Sequence, residues 1–449
     1  MKRFFVLLSV LIFFLLGFVS NSYTQSEEIL INILVKKGIL TPKEAEQIIK
    51  EIKKEQEKEK LKVQKTIAEK IEKKIKEDKK FKNSLIPASF KGIKFGILAY
   101  LDFSAGKSPL PNNDESSYNK FKLTRGYFTV KKQILPWFHA RLTYDIHRDD
   151  TGDYKGRIKY LYAEIRPKDF SFLTDMKMEI GQGHIPWLDF EEHINPYRMQ
   201  GTMPIERAGV FNSADVGVSI RGYFGGKLEN AKLLTGNTHY AGKYGSWHIG
   251  VYNGAGYHEE EKNNNKVIEG RITLRPLPGI IPGLQLSYFG LYGEGNRKAI
   301  NGDYPDYMVN LFMLSYERPN LIFTGQFFKT KGNSKGTWVD ADGDALRTEC
   351  YALFLDYRLP ITLFSQKRLH IFGRYDHFDQ DENDHIASDT AYDMYIFGLG
   401  LDIYKGNKFI LDFEKTDYED DAGKKGSMPK AENNLGDEYK VQAVLQVKF

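Results

Sequence analysis

From Phe90 to Phe449 the chain repeats short segments in which apolar and polar side chains alternate at every second position. This period-two pattern predicts β-strands that have one apolar and one polar face. Sixteen such segments can be placed, which predicts an all-β transmembrane barrel over 90–449. The predicted strands cover 90–103, 120–133, 137–147, 157–167, 174–183, 214–223, 245–253, 266–275, 283–292, 307–317, 320–330, 346–359, 367–378, 392–404, 408–416 and 438–449.

The connections between these segments alternate in length. Short links rich in Pro, Gly and Asn lie at 134–136, 166–168, 278–283, 318–320 and 405–407. Longer polar stretches lie between them, at 107–119, 147–155, 259–265, 293–305, 331–345, 379–390 and 417–437. Short turns on one side and long loops on the other are typical of an outer-membrane barrel. By this parity 224–244 should be a short turn, so its length indicates an insertion or a miscounted hairpin.

The polarity of the strands indicates which face meets lipid. In 137–147 the even positions Phe138 to Ile146 are apolar, whereas the odd positions His139 to His147 are polar or charged. Because lipid offers no hydrogen bonds, the apolar set should face outward and the charged set should face a wet lumen. A water-soluble barrel would show the same alternation with the faces reversed, so other features must decide.

The segment Tyr439–Phe449 is one of those features. Every odd position in it is apolar or aromatic, and four of its five even positions are Lys or Gln. A strand of this kind that stops on Phe449 is similar to the C-terminal signature that outer-membrane proteins present to the barrel assembly machinery. Phe449 is therefore predicted to be the assembly signal.

The other feature is the N-terminus, where Lys2 and Arg3 precede an apolar run from Phe4 to Val19. This pattern predicts a signal peptide over 1–24, with an uncleaved membrane anchor as the alternative. No comparable apolar run follows. The single cysteine, Cys350, excludes an intrachain disulfide and a cysteine-rich metal site, and a net charge of +5 does not indicate a nucleic-acid-binding surface.

Residues 26–83 differ in composition and predict a short α-helical periplasmic segment. Thr41, Pro42 and Glu44 form a capping box with proline at the first helical position. Farther on, apolar residues recur every four positions from Val63 to Ile75 within a Lys- and Glu-rich sequence. Such a narrow stripe can be buried by copies of itself in a coiled coil, and a solvated or partly disordered helix is the alternative.

A barrel of sixteen strands leaves an aqueous channel that something must narrow. The third outer loop, 183–213, is predicted to do so, and around it the sequence resembles the phosphate-selective porin O and P family. The resemblance rests on the segment Gly181–Trp187, the pair Glu206–Arg207, Phe211 and the segment Ala214–Val218. The stretch Leu34–Thr41 also resembles the helical start of many members.

The resemblance implies a homotrimer of sixteen-stranded barrels in the outer membrane, each with its third loop folded inward and basic side chains lining the pore. Arginine suits this role because its planar guanidinium holds phosphate in two directions and stays charged. The predicted pore-lining residues are Arg125, Lys131, Arg141, Asp145, Arg166, Arg221, Arg271, Arg275 and Arg374. The predicted constriction-loop residues are His184, Asp189, Glu191, Glu192, Arg198, Glu206 and Arg207.

The sequence departs from the family at this loop. His184 stands where the family usually has lysine, and the loop carries four carboxylates. Because opposite charges cancel the field that would concentrate one sign of ion, a mixed lumen passes ions with modest bias. We therefore expect passive diffusion of small ions and hydrophilic solutes, with at most a weak anion preference. A dedicated phosphate or polyphosphate channel is the alternative, and any arginine could instead be a wall strut paired with a carboxylate.

Other motifs do not change this expectation. The acidic run from Asp340 to Asp344 lacks the glycine and distal glutamate of a calcium loop, and no histidine pair has zinc spacing. A barrel phospholipase would need a Ser–His pair beside Asn or Asp, which is not evident. We expect no enzyme activity, no cofactor and no metal, and we expect outer-membrane lipid and small anions or hydrophilic solutes as the chain's partners.

Overall fold

The computed structural model describes residues 30–84, 90–149, 151–363 and 367–449. The chain divides into two compact units, 1–91 and 92–449, and each is described by itself. The predicted signal peptide at 1–24 lies outside the described residues. Among the helices in the described ranges, none combines the length and the apolar character needed to cross a bilayer.

The first unit is helical. Residues 30–36 form α1, and α2 spans Pro42–Ser84. The predicted capping box is present at the start of α2, where the Thr41 amide donates to Glu44 Oε2 at 2.9 Å and the Glu44 amide donates to Thr41 Oγ1 at 3.4 Å. Val63 and Ile67 of the predicted apolar stripe are exposed in the single chain. Their burial in a coiled coil stays a prediction.

The second unit is a closed barrel of sixteen antiparallel strands, which confirms the predicted architecture and strand number. Each strand pairs with its neighbours in sequence, and the first strand pairs with the last to close the sheet. The strands are β1 Ile93–Leu110, β2 Asp114–Leu135, β3 Phe138–Arg148, β4 Tyr154–Ile165, β5 Leu173–His184, β6 Ala214–Phe224, β7 Gly245–Tyr252, β8 Val267–Leu274, β9 Leu284–Glu294, β10 Asp306–Arg318, β11 Leu321–Lys331, β12 Arg347–Leu363, β13 Lys367–Asp379, β14 Ala391–Tyr404, β15 Asn407–Tyr418 and β16 Glu438–Lys448.

The last strand has the predicted polarity. Gln442 and Val444 on its even positions are buried inside the barrel, whereas Val441 on an odd position is exposed on the outer face. Beyond β16, the Phe449 amide and carbonyl both bond the backbone of Ile97, at 3.1 and 2.8 Å. The final residue thus completes the seam where the barrel closes.

Two connections differ from the sequence prediction. The first hairpin is longer than expected, because β1 and β2 continue to Leu110 and from Asp114, so most of the predicted loop 107–119 is paired strand. The long stretch 224–244 is an insertion that carries the short helix α5, Ala231–Thr235, and the hairpin count is unaffected.

The inner face of the barrel is divided. On β1–β5 it is mainly polar, as the sequence predicted, and Thr143 and Asp145 are buried there. On β9–β14 the inner face is mixed: it carries a large apolar patch that the sequence analysis did not predict, next to buried polar and charged residues such as Glu317, Asp356 and Asp376. The buried interior residues on these strands include Phe289, Leu291, Val309, Leu311, Met313, Phe328, Cys350, Ala352, Phe354, Phe372, Met394 and Ile396. Apolar side chains on the inner face must be shielded from water, and the loop between β5 and β6 packs over them.

Candidate pore and its constriction loop

Residues 185–213, here called the constriction loop, fold into the barrel. They contain two short helices, α3 Leu188–Ile194 and α4 Pro204–Ala208. Gly209 ends α4 with φ of 90°, a left-handed conformation that favours glycine. The buried apolar residues of the loop are Ile185, Trp187, Leu188, Phe190, Ile194, Tyr197, Met199, Met203, Ile205, Ala208, Val210 and Phe211.

The loop's apolar face packs on the apolar wall. The Trp187 ring lies 5.7 Å from the Phe289 ring, centroid to centroid, and is fully buried. Tyr197 stacks on Phe372 at 4.1 Å, and its hydroxyl donates to Asp356 Oδ1 at 2.8 Å. Large aromatic side chains dominate such contacts because each buries a large apolar area. The loop is therefore held in the barrel by a dry interface as well as by polar contacts.

Glu191 is a buried polar link in this interface. Its Oε2 accepts from Trp187 Nε1 at 2.7 Å and its Oε1 accepts from Gln326 Nε2 at 2.9 Å. Burial raises the pKa of Glu191 to about 7 against the opposing effect of Arg374 and the two hydrogen bonds. A carboxyl whose pKa is raised stabilises the docked loop fully below its ordinary pKa, and that contribution is lost as the pH rises through about 7.

Two of the predicted pore-lining arginines contact the loop backbone. Arg271 Nε donates to Pro186 O at 3.0 Å, and Arg374 Nη1 donates to Thr202 O at 2.7 Å. Arg374 also bonds Asp376, with Nε at 2.8 Å from Oδ1. Both arginines are more than nine-tenths buried. Their geometry is that of struts that hold the loop.

The Glu206–Arg207 pair anchors the far end of the loop. Arg207 Nη1 lies 2.9 Å from Glu414 Oε2, and Arg207 Nη2 donates to Gln200 Oε1 at 3.1 Å. Arg198 lies between two loop carboxylates, with Nε 2.9 Å from Glu192 Oε1 and Nη2 3.4 Å from Glu206 Oε2. Four of the predicted loop residues, Glu192, Arg198, Glu206 and Arg207, thus form ion pairs, whereas Asp189 and Glu191 are held by hydrogen bonds from Tyr240 and from Trp187 and Gln326.

The seventh, His184, closes β5. Its Nδ1 lies 2.9 Å from Glu179 Oε2, and its ring lies 4.3 Å from the Tyr160 ring.

Three other predicted pore-lining arginines lie toward the short-turn end of the barrel. Arg166 bonds Glu164, with Nη2 2.7 Å from Oε1. Arg221 Nη2 lies 2.7 Å from Glu179 Oε1, and Arg275 Nε donates to Gly242 O at 3.1 Å.

The wall on β2–β4 carries two kinds of cation. The first kind is paired with a carboxylate, since Arg125 Nη1 and Arg157 Nε both reach Asp145 Oδ2, at 2.9 and 3.0 Å. The side chains of Arg125 and Arg157 keep 19% and 24% of their surface exposed inside the barrel, whereas Asp145 keeps none. Water therefore reaches these guanidinium groups on the inner wall.

The second kind of cation is held by aromatic rings. Arg141 lies 4.5 Å above the Tyr160 ring and bonds Thr143 and His184, while the Lys159 ammonium lies 4.9 Å above the Tyr127 ring. Cation–π contact stabilises a charge without neutralising it. Within the described ranges, neither side chain has a carboxylate oxygen within 4.0 Å, and Lys131, next to Arg141 across β2–β3, forms no ion pair.

A strict alternation of inward and outward side chains along β4 does not predict that Lys159 lies in the interior of the barrel. A register shift between Thr143 and Tyr144 inserts an extra residue into β4, so Lys159 and Tyr160 are both buried in the interior while Ile158 and Leu161 are exposed outside. An extra residue of this kind is a β-bulge, which re-aims a side chain. The sequence signal is a lysine between two outward apolar positions, where lipid would strongly disfavour it.

The insertion at 225–244 also meets the constriction loop. Asn237 Nδ2 donates to His193 O at 2.9 Å, and the His193 and His239 rings lie 3.9 Å apart. The Tyr240 hydroxyl donates to the Asp189 carboxylate. Burial, together with the neighbouring His193, lowers the pKa of His239 to about 4, so this ring is neutral at pH 7. The short-turn side of the barrel thus supplies a second element that braces α3.

Solved structures share this architecture. Salmonella typhi OmpF in complex with daunomycin matches with a TM-score of 0.51 and 9% identity, over 80% of this chain and 97% of that one. The chain shares the porin fold. An anion-selective porin from Comamonas acidovorans matches with a TM-score of 0.49 and 11% identity, over 79% and 99%. The channel DcaP of Acinetobacter baumannii gives 0.49 and 10%, over 80% and 97%. No family model and no curated protein matches the chain.

Proposed function

We propose that this chain is an outer-membrane porin that lets small ions and hydrophilic solutes diffuse passively, with a weak preference for anions. The observation that carries the anion preference is the group of Lys131, Arg141 and Lys159, here called the unpaired cations. They lie on the neighbouring strands β2–β4, and among the described residues no carboxylate oxygen lies within 4.0 Å of their charged groups, while tyrosine rings contact Arg141 and Lys159. Their field is therefore left to act on passing solutes.

The distribution of charge keeps the proposed preference weak. The constriction loop carries Asp189, Glu192 and Glu206 near Arg198, and its other arginine, Arg207, is paired with Glu414 on the barrel wall. The positive side of the passage is the β2–β4 wall and its negative side is the loop. Ions of both signs can pass between two such surfaces, and only the excess of wall cations gives a bias.

Dedicated phosphate transport has less support. A phosphate site requires arginines whose forked donors are free to bind the ligand in two directions. Three arginines on or near the loop already engage carboxylates: Arg198 with Glu192, Arg207 with Glu414 and Arg221 with Glu179. A second phosphate-specific function is therefore not proposed.

The location and assembly belong to the same proposal. The barrel exposes apolar side chains such as Ile249, Leu353 and Phe397 on its outer face, which suits acyl chains as neighbours. We propose a homotrimer in the outer membrane, folded by the barrel assembly machinery through the Phe449 signal. In this proposal the signal peptide is removed, and α1 and α2 lie in the periplasm as a segment that assists trimer formation.

Reversal potential in a KCl gradient across a planar bilayer tests the proposed function. We expect ohmic single-channel steps and a chloride-to-potassium permeability ratio modestly above one, because the unpaired cations attract chloride. Replacing chloride with phosphate should lower the current. A ratio below one would defeat the anion preference, and lipid hydrolysis without conductance would defeat the porin assignment.

A further inference from the structure

The last outer loop, residues 419–437 between β15 and β16, folds over the outer end of the constriction loop. The two loops meet at their backbones, because a Cβ atom on Gly209 would lie only 3.0 Å from the Gly426 Cα atom. Gly209 and Gly426 have φ of 90° and 82°, a left-handed conformation that favours glycine. Met428 of the same outer loop packs against the apolar core that the constriction loop forms with the barrel wall. We call residues 419–437 the latch.

Gln380 fastens the latch to the end of β13. Its Nε2 donates to Gly423 O and to Ser427 O, both at 3.0 Å, and its Oε1 accepts from the Gly423 amide at 2.6 Å. The side chain is 2% exposed, so removing it would leave buried backbone groups of the latch unpaired. Within the described ranges, no hydrogen bond joins Gln380 to the constriction loop. Gln380 can therefore act on that loop only through the latch.

A second contact places the latch beside the anchor of the constriction loop. Lys425 Nζ lies 3.1 Å from Glu414 Oε1 and 3.0 Å from Glu438 Oε2. Glu414 also pairs with Arg207 of the constriction loop, at 2.9 Å, and with Lys440, at 3.2 Å. Because like charges repel, Lys425 and Arg207 compete for the same carboxylate, and this contact does not by itself strengthen the anchor. The hold on the constriction loop must come from the position of the latch above it.

We propose that the latch locks the constriction loop inside the barrel, and that Gln380 is the positioning residue that keeps the latch closed. The inference rests on the proposed function and adds regulation to it, since displacing the latch from the long-loop side widens the pore. Both ends of the constriction loop join the outer ends of β5 and β6, so the loop can leave the barrel only toward the outer mouth. On that path Gly209 meets the Gly426 backbone, which has no flexible side chain that could yield. The latch must therefore open before the constriction loop undocks.

Single-channel recording of the full-length protein in KCl tests the latch. We expect Gln380→Ala to raise the fraction of time spent in a high-conductance substate about tenfold, because the closed latch loses a buried hydrogen-bonded anchor. Asn433→Ala removes the bond from Asn433 Nδ2 to Ala422 O within the latch and should act in the same direction. Gln446→Ala is the matched control, since the Gln446 amide also donates to a glycine carbonyl, Gly406 O, but at the short-turn end of the barrel. It should leave the substate occupancy unchanged.

The double variant Gln380→Ala, Trp187→Ala distinguishes a latch from a plug. If the latch acts through the constriction loop, Gln380→Ala adds no further occupancy once Trp187→Ala has released that loop. An equal increase in both backgrounds would mean that 419–437 blocks the pore directly, which would overturn the inference. Wild-type behaviour of both Gln380→Ala and Asn433→Ala would overturn it as well. Absence of ohmic steps in the wild type would instead overturn the proposed function itself.

Discussion

Trp187→Ala should release the constriction loop from the barrel wall and give a channel with higher and noisier conductance. Trp187 is fully buried against Phe289 and Phe190, and its indole N–H bonds Glu191. Truncating a buried tryptophan costs about 3–5 kcal/mol, and leaving the Glu191 oxygen unpaired adds to the loss. A shift of that size lowers the ratio of docked to undocked loop by a factor of about 100 or more.

Single-channel recording in KCl would measure this effect, with Trp137→Ala as the matched control. Trp137 lies in the turn between β2 and β3 and is 52% exposed, so its loss should not touch the loop. The barrel itself should survive in both variants, because sixteen paired strands close without the loop. If the two variants had the same conductance as the wild type, the packing of Trp187 would not be what narrows the pore.

The sequence predicted the barrel because polar side chains, which face water, alternate along its strands with apolar side chains, which face lipid. At β3 and β16 the alternation is clean, so both the strands and their inward faces are readable. The alternation of loop lengths then identified 183–213 as the loop that enters the barrel. These features depend on contacts between neighbours in sequence and on lipid outside, which leave a local signature.

The alternation of polarity does not identify the inner face of the barrel wall that the constriction loop covers. On β10, Leu311 and Met313 face the interior while Phe312 and Leu314 face outward, so both faces are apolar. The interior face is apolar because the constriction loop covers it, and that contact joins residues more than a hundred positions apart. Alternation of polarity reports the surroundings of each face, and it fails where the interior is dry.

The positions of the basic side chains inside the barrel also differ from the prediction, because they depend on contacts that the sequence does not reveal. Arg271 and Arg374 lie under the loop as struts, whereas a bulge turns the buried Lys159 to the interior of the barrel. The pairing of a charge depends on which loop carboxylate reaches it, as Glu192 and Glu206 reach Arg198. A count of inward arginines therefore overstates the positive field, and the few cations without carboxylates determine its sign.

The double variant Arg141→Gln, Lys159→Gln should reverse the ion preference from anions to cations. A unit charge about 4 Å from a passing ion contributes about 1 kcal/mol in water, and removing it penalises anions while favouring cations. Each substitution therefore lowers the local anion-to-cation ratio several-fold. With both cations gone, Asp189, Glu192 and Glu206 on the loop face a wall that keeps only Lys131 of the three unpaired cations, because Arg125 and Arg157 share Asp145.

Reversal potentials in a KCl gradient should then give a chloride-to-potassium ratio below one for the double variant. Arg141→Lys, Lys159→Arg preserves both charges and should stay above one, which separates charge from packing. Lys168→Gln, Lys243→Gln removes two exposed turn lysines and should leave the ratio as in the wild type. Raising the salt concentration should shrink the difference between the variants, because screening shortens the reach of the wall charges. An unchanged ratio in the first double variant would show that the tyrosine-held cations do not face the permeating ions.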